Sequence, residues 1–290
     1  MTVALFCRQA TEIGYNYMTG LSQKVKRTLP FLYKHAAIIP VLKYSGVVLA
    51  VCWVLDAGTE SLGYNWQWYR VPRYLFTVEN GQFTTGPLMQ GLMVTFQISG
   101  ISLVLSFILG LTAALFRLSD SIMARVLARG YLEIIRNTPL VVQLFFIYFV
   151  LGPVLGIERF FSAVLALSLF EGAYASEIFR AGIISIHKGQ WEAAYSLGLG
   201  PYDTYRRIIL PQAVRRILPP LTSQGISLIK DSSLVSIIAV YDLTMQGRVI
   251  IAETFLTFEL WFTVAAIYLS VTLVMSVLVN FLENHLRIRT

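Results

Sequence analysis

Between two hydrophobic stretches the chain reads Gly189-Gln190-Trp191-Glu192-Ala193-Ala194-Tyr195-Ser196-Leu197-Gly198-Leu199-Gly200-Pro201 and runs on to Ile208-Ile209-Leu210-Pro211. Loops of this length that keep apolar residues at helical spacing are uncommon and usually bind something. Glu192 to Leu197 predicts a short helix, Gly198 and Gly200 end it, and Pro201 opens a second helix at its first turn. The expected product is a helix, a tight turn and a helix. Small side chains at Ala193, Ala194 and Gly198 suit a helix seated in a partner's cleft. Tyr195 and Leu197 are candidate anchors, and Glu192, favoured by the dipole at the helix start, is available to a basic group.

The flanking stretches place this loop in a membrane protein. Of 290 residues, 56% are hydrophobic and 13% charged, against about a quarter charged in soluble domains. The formal charge of +7 does not point to nucleic acid, because basic residues of membrane proteins collect on cytoplasmic loops and meet anionic lipid. Cys7 and Cys52 form neither a disulfide framework nor a metal-ligand spacing, and Cys52 reads as a packed helix residue. No short N-terminal hydrophobic segment carries a small-residue cleavage site, so the first hydrophobic helix is expected to be an uncleaved anchor.

A span needs about twenty mostly apolar residues, and six stretches qualify, near 36–55, 89–116, 133–151, 160–180, 218–240 and 260–282. Alternate flanking segments carry 16 lysines and arginines against 4, which places both termini, the 117–130 loop and the 180–216 loop in the cytoplasm. The expected organisation is a basic cytoplasmic segment, 1–35, suited to a lipid-surface helix; an additional transmembrane helix, 36–56; an external segment, 57–88, with Trp66, Trp68, Tyr69, Tyr74 and Phe76; a transmembrane core, 89–283, including the loop 186–211; and a cytoplasmic tail, 284–290. The aromatic external segment reads as a membrane-hugging connector, with docking of an external partner as the alternative.

Ionisable residues inside spans are costly and therefore functional candidates. Glu171 and Tyr174 share a face of the fourth span, among the small residues Gly172, Ala173, Ala175 and Ser176 that permit close packing. Glu177 is expected to pair with Arg180 as a structural clamp. The fifth span is expected to break at Lys230-Asp231-Ser232-Ser233, with a Lys230–Asp231 ion pair that either lines a polar cavity or holds the break. The third opens with Arg136-Asn137-Thr138-Pro139, where Thr138 suits a cap for a helix starting at Pro139, and Gln143 follows one turn on.

These strings resemble one family, the permease subunits of binding-protein-dependent ATP-binding cassette importers, in its polar amino acid branch. The loop signature of Glu-Ala-Ala, three residues, Gly, nine residues, Ile, one residue and Leu-Pro is filled by Glu192, Ala193, Ala194, Gly198, Ile208, Leu210 and Pro211. The branch's span strings occur in order at Arg136 to Gln143, Ala173 to Arg180 and Lys230 to Leu234, and the resemblance covers roughly 86–285. It implies an all-α type I importer permease fold of about six transmembrane helices, five of them the core. It also implies a location in the bacterial inner membrane, two ATPase subunits docked on the loops, a second permease, and an external solute-binding protein. No Gly-Lys dipeptide is present to build a phosphate loop, so ATP and magnesium are expected on the partner ATPases and no cofactor on this chain. Arg136, Thr138, Gln143, Glu171, Tyr174, Lys230, Asp231 and Ser232 are the candidate pathway residues. A self-sufficient ion-coupled carrier or channel is the rival reading.

Overall fold

The computed structural model describes residues 63–79 and 82–286, with isolated positions between 45 and 58. The basic N-terminal segment, the expected extra span at 36–55 and Cys52 lie outside the described residues or largely so. The chain divides into two units, Met1–Trp66 and Gln67–Thr290, and the second holds the helical bundle.

That unit opens with a 3-10 turn, Trp68–Arg70, and a single helical turn, Pro72–Leu75. A two-stranded antiparallel hairpin follows, β1 (Phe76–Glu79) and β2 (Gln82–Thr85), with Phe76 opposite Thr85. Eight helical segments come next: α1 (Pro87–Leu118), α2 (Ile122–Arg136), α3 (Leu140–Leu155), α4 (Arg159–Ile184), α5 (Lys188–Ser196), α6 (Pro201–Ile238), α7 (Leu243–Thr254) and α8 (Thr257–Leu286). Three are long and apolar enough to cross a membrane, α1, α4 and α8; five spans result if the bent pairs α2–α3 and α6–α7 each count as one. Much of α8 is apolar on its exposed face, through Leu269, Val274, Val277 and Phe281, as expected of a helix facing lipid.

The bundle is organised around α1 against α4. Ser102, Ser106, Gly110 and Ala114 recur every four residues on one buried face of α1, opposite Ser168, Gly172, Ala175 and Ser176, all buried on α4. Within a bilayer helices gain nothing from hiding apolar surface, so small residues that let backbones approach supply the packing. The approach is close: a Cβ added at Gly110 would lie 2.8 Å from Ala175 Cβ and 2.9 Å from the Gly172 carbonyl oxygen. Ser102 Oγ donates to the Val164 carbonyl across the contact. Apolar clusters surround this pair at three levels: one holds Leu88, Leu243 and Leu260, one holds Leu144, Leu167, Leu228 and Val235, and the third, nearest α5, holds Phe179, Ile209, Ala213 and Ile217.

Several expected boundaries move. The 117–130 segment is not a loop, because α2 begins at Ile122, N-capped by Ser121. The expected span 133–151 is broken by a 105° bend between α2 and α3. Thr138 is not a helix cap: Pro139 occupies the N-cap of α3, and Thr138 Oγ1 donates instead to the Ile134 carbonyl at 2.9 Å. A residue before proline is pushed out of helical conformation, so the chain turns here. The fifth span leaves α geometry within Lys230 to Ser233, as expected, its α-helix ending at Asp231, but the sharp bend comes later. Its helix runs from Pro201, tightens to 3-10 geometry at Ser232–Ile238, and bends by 47° into α7 only beyond Ala239, which is left-handed at φ 54°.

Two π-helical stretches, Phe146–Leu151 and Thr204–Ile209, each end two residues before a proline, Pro153 and Pro211. A proline ring displaces the carbonyl four residues earlier, here Phe149 and Arg207, and the widened turn absorbs that displacement. The aromatic segment before the hairpin packs on α8: the Gln67 backbone N–H donates to Glu259 Oε1 at 2.6 Å, and the Trp68 ring sits 6.4 Å from that of Phe262.

The α1–α4 contact predicts that Gly110→Leu lowers stability by about 1–3 kcal/mol through overpacking. Gly100→Leu, with open space around its Cβ, should leave it unchanged. Thermal unfolding in detergent distinguishes the two.

Candidate coupling hairpin and intramembrane polar site

Residues 187–211 form a helical hairpin. His187 Nδ1 accepts from the Gly189 backbone N–H at 3.0 Å and starts α5. At its end Gly198 adopts φ 75°, the Gly198 N–H donates to the Tyr195 carbonyl, and the Leu199 N–H donates to the Ala194 carbonyl. This paired termination needs a left-handed residue, which glycine supplies without a Cβ clash. Pro201 then occupies the first turn of α6 after the Gly200 cap.

Two contacts tie the arms: the Trp191 and Tyr205 rings meet edge-on at 4.9 Å, and Gln212 Nε2 donates to Gln190 Oε1 at 3.0 Å. The Arg216 guanidinium donates to the Ser185 carbonyl and fixes the base. The signature residues divide by exposure. Glu192, Ala193, Gly198 and Pro211 are exposed, as are Tyr195, Leu197 (80%), Leu210 and the neighbouring Tyr202. Ala194, 2% exposed, faces the chain itself, and Ile208 packs on the cluster of Ile209 and Ala213. The expectation that Ala194 is presented to a partner is therefore corrected: its small side chain lets the two arms close.

Near that end one carboxylate gathers three helices. Glu177 on α4 meets Arg117 of α1 at 2.9 Å, Arg136 of α2 at 2.8 Å and Arg180 on its own helix at 3.4 Å. The Arg136 guanidinium also lies 5.8 Å from the Tyr174 ring centroid. Gln143 Nε2 donates to the Ile135 carbonyl at 2.8 Å and to the Thr138 carbonyl and hydroxyl at 3.0 and 2.9 Å. Thr138 and Gln143 thus satisfy backbone groups freed at the bend, as a membrane interior requires.

Deeper in the bundle Glu171, 1% exposed, accepts a hydrogen bond from Gln224 Nε2 of α6. The Asp231 carboxyl lies close enough to interact with it. Asp231 follows Gln224 by seven residues, so the two share a face of α6. Lys230 is exposed and forms no close salt bridge with Asp231 among the described residues, although its charge still acts on that carboxyl; the expected pair is loosened because adjacent helical positions point in different directions. Ser232 is buried and bonds back to the Ile229 carbonyl. The structure therefore brings Glu171 and Asp231 together, and sets Arg136, Thr138 and Gln143 at the α2–α3 corner. Gln224 and Arg117 were not singled out from sequence; each is legible only through a partner more than fifty residues away.

Residues 62–288 match the family model described as binding-protein-dependent transport system inner membrane component. The chain belongs to that family. The permease is 43% identical over 204 residues to the glutamine transport system permease protein GlnP of Escherichia coli, covering 69% of this chain and 93% of the relative. It is 37% identical over 217 residues to the nopaline transport system permease protein NocM of Agrobacterium fabrum, covering 70% and 90%. Among solved structures, a chain of an amino acid ABC transporter crystallised with histidines superposes with TM-score 0.65 at 37% identity, over 69% of this chain and 94% of that one. A chain of the inward-facing MetNI methionine transporter shares the fold, with TM-score 0.61 at 16% identity, over 70% and 97%. The permease fold is that of the type I importers, and the amino acid branch strings fall at the α2–α3 corner, on α4 and on α6.

Glu177→Gln should destabilise the permease by about 1–3 kcal/mol, because three guanidinium groups lose the negative charge they share and one of its two acceptor oxygens, and hydrogen bonds to charged groups contribute on that scale. Glu133→Gln, on exposed α2 surface, should change it less. Melting temperatures of the detergent-solubilised variants measure the difference.

Proposed function

We propose that the permease forms, with a second permease subunit, the translocation pathway of an ATP-driven amino acid importer in the bacterial inner membrane. In this reading two separate ATPases, carrying ATP and magnesium, dock on the hairpins, and an external binding protein delivers the solute. The observation that carries the reading is the signature at Glu192 to Pro211 folded as a self-tied hairpin with an exposed apolar tip. The charge bias of the sequence puts that hairpin in the cytoplasm together with both termini. Relatives and a solved neighbour named for amino acids support that solute class.

Tyr195, Leu197 and Leu210 are assigned to pockets on the ATPase, Glu192 to a basic group there, and Ala193 to close backbone approach. Glu171 and Asp231 suit the solute's ammonium, and Lys230 suits its carboxylate. Arg136 is assigned to pathway shape through its contacts with Glu177 and Tyr174. At the opposite end a hollow of about 730 Å³, lined by Tyr148, Arg159, Val240 and Tyr241 among others, is the surface assigned to the binding protein.

Gly198→Asp should leave the protein in the membrane but uncouple import from ATP hydrolysis. The assay is uptake and ATPase activity in proteoliposomes holding the whole complex; normal import would remove the hairpin from the mechanism, and uptake by the chain with no ATPase present would favour the ion-coupled carrier. In the same assay Glu171→Gln should weaken solute affinity or slow import, and unchanged values for both would take Glu171 out of the pathway.

A further inference from the structure

Helix α2 presents three different faces. Ala128, Leu132 and Ile135 are buried against the bundle, while Ile122, Met123, Val126, Leu127 and Ile134 are exposed and apolar. Between these lies a basic stripe: Arg125, Arg129 and Arg136 follow one another at four and seven residues, which at 3.6 residues per turn keeps them within about 40° of each other. Fifteen residues span about 22 Å, short of the roughly 30 Å hydrocarbon core, and α2 turns through 105° from α3.

The stripe has a charge surplus. Arg117 and Arg180 join it at the Glu177 cluster, so along residues 117–136 and at Glu177 and Arg180 five arginines stand against three acids, Asp120, Glu133 and Glu177. Of these acids, Glu177 is shared among three guanidinium groups, and Glu133 Oε2 accepts from Asn137. Arg125 also donates to the Ser119 carbonyl at 3.1 Å, which holds its guanidinium at the end of α1. A cationic stripe alone could meet a soluble acidic partner. The exposed apolar face beside it could not remain in water, and helices with this combination lie at membrane interfaces.

We propose that the Arg125, Arg129 and Arg136 stripe is a binding site for the phosphate of an anionic phospholipid headgroup, with the exposed apolar face of α2 among that lipid's acyl chains. The proposal rests on the reading of the chain as a membrane permease but not on its solute or its ATPase.

The test is native mass spectrometry of the full-length permease in detergent, titrated with phosphatidylglycerol and with phosphatidylcholine. Phosphatidylglycerol should bind preferentially, and Arg125→Gln/Arg129→Gln should lose that preference by about thirtyfold, at roughly fivefold per basic residue at a membrane surface. Arg125→Lys/Arg129→Lys should retain it, and Arg206→Gln/Arg207→Gln, on α6, should leave it unchanged. Equal binding of the two lipids, or a preference that survives the glutamine pair, overturns the site. Loss in the lysine pair overturns its electrostatic basis, and displacement by an equal concentration of inorganic phosphate shows a phosphate site that does not select lipid. Intact import with no lipid preference removes only this site, whereas failed import with the preference retained counts only against the transport reading.

Discussion

The bundle depends on how closely the backbones of α1 and α4 approach. A methyl group added at Gly110 would collide with Ala175 and the Gly172 carbonyl, and one at Gly172 would press on Leu109 and Tyr131, while the hydroxyls of Ser102, Ser106 and Ser168 are bonded to nearby carbonyls. Dispersion and short polar contacts do here what expulsion of water does in a soluble core. The tight pair gives α2, α3 and α6 a fixed surface to lean on, and it sets Glu171, on the flank of α4, against Gln224.

Several of the remaining irregularities follow from prolines in a setting where freed backbone groups find no water. Pro139 ends one helix and turns the next, and the Gln143 amide returns to the carbonyls exposed at the corner. Pro153 and Pro211 widen the preceding turns into π geometry. Pro219 and Pro220 are carried inside α6, where Thr222 Oγ1 donates to the Leu218 and Pro219 carbonyls. Each proline is thus paired with a local adjustment that keeps the backbone bonded.

Local chemistry was legible in the sequence and distant pairing was not. The hairpin could be read because Gly198 and Pro201 encode a stop and a start within four residues. The bend at Thr138-Pro139 was misjudged because a threonine before proline satisfies the pattern of a cap as well as that of a corner, and the choice fell to Gln143. Lys230 and Asp231 adjoin in sequence and attract only at longer range, while Asp231 lies against Glu171, sixty residues away in the chain. The four-residue repeat from Ser102 to Ala114 was available in the sequence but blends into a uniformly apolar stretch.

The tied arms of the hairpin give α6 the character of a lever. Trp191 against Tyr205 and Gln190 against Gln212 tie α5 to α6, which stays helical from Pro201 to Ile238. From Tyr205 to Gln224 is about 30 Å of rod. A tilt of about 6° displaces its far point by about 3 Å, the length of one hydrogen bond. A rocking of that size, if carried along the rod, would separate Gln224 from Glu171 and open a buried acid to the space beside it.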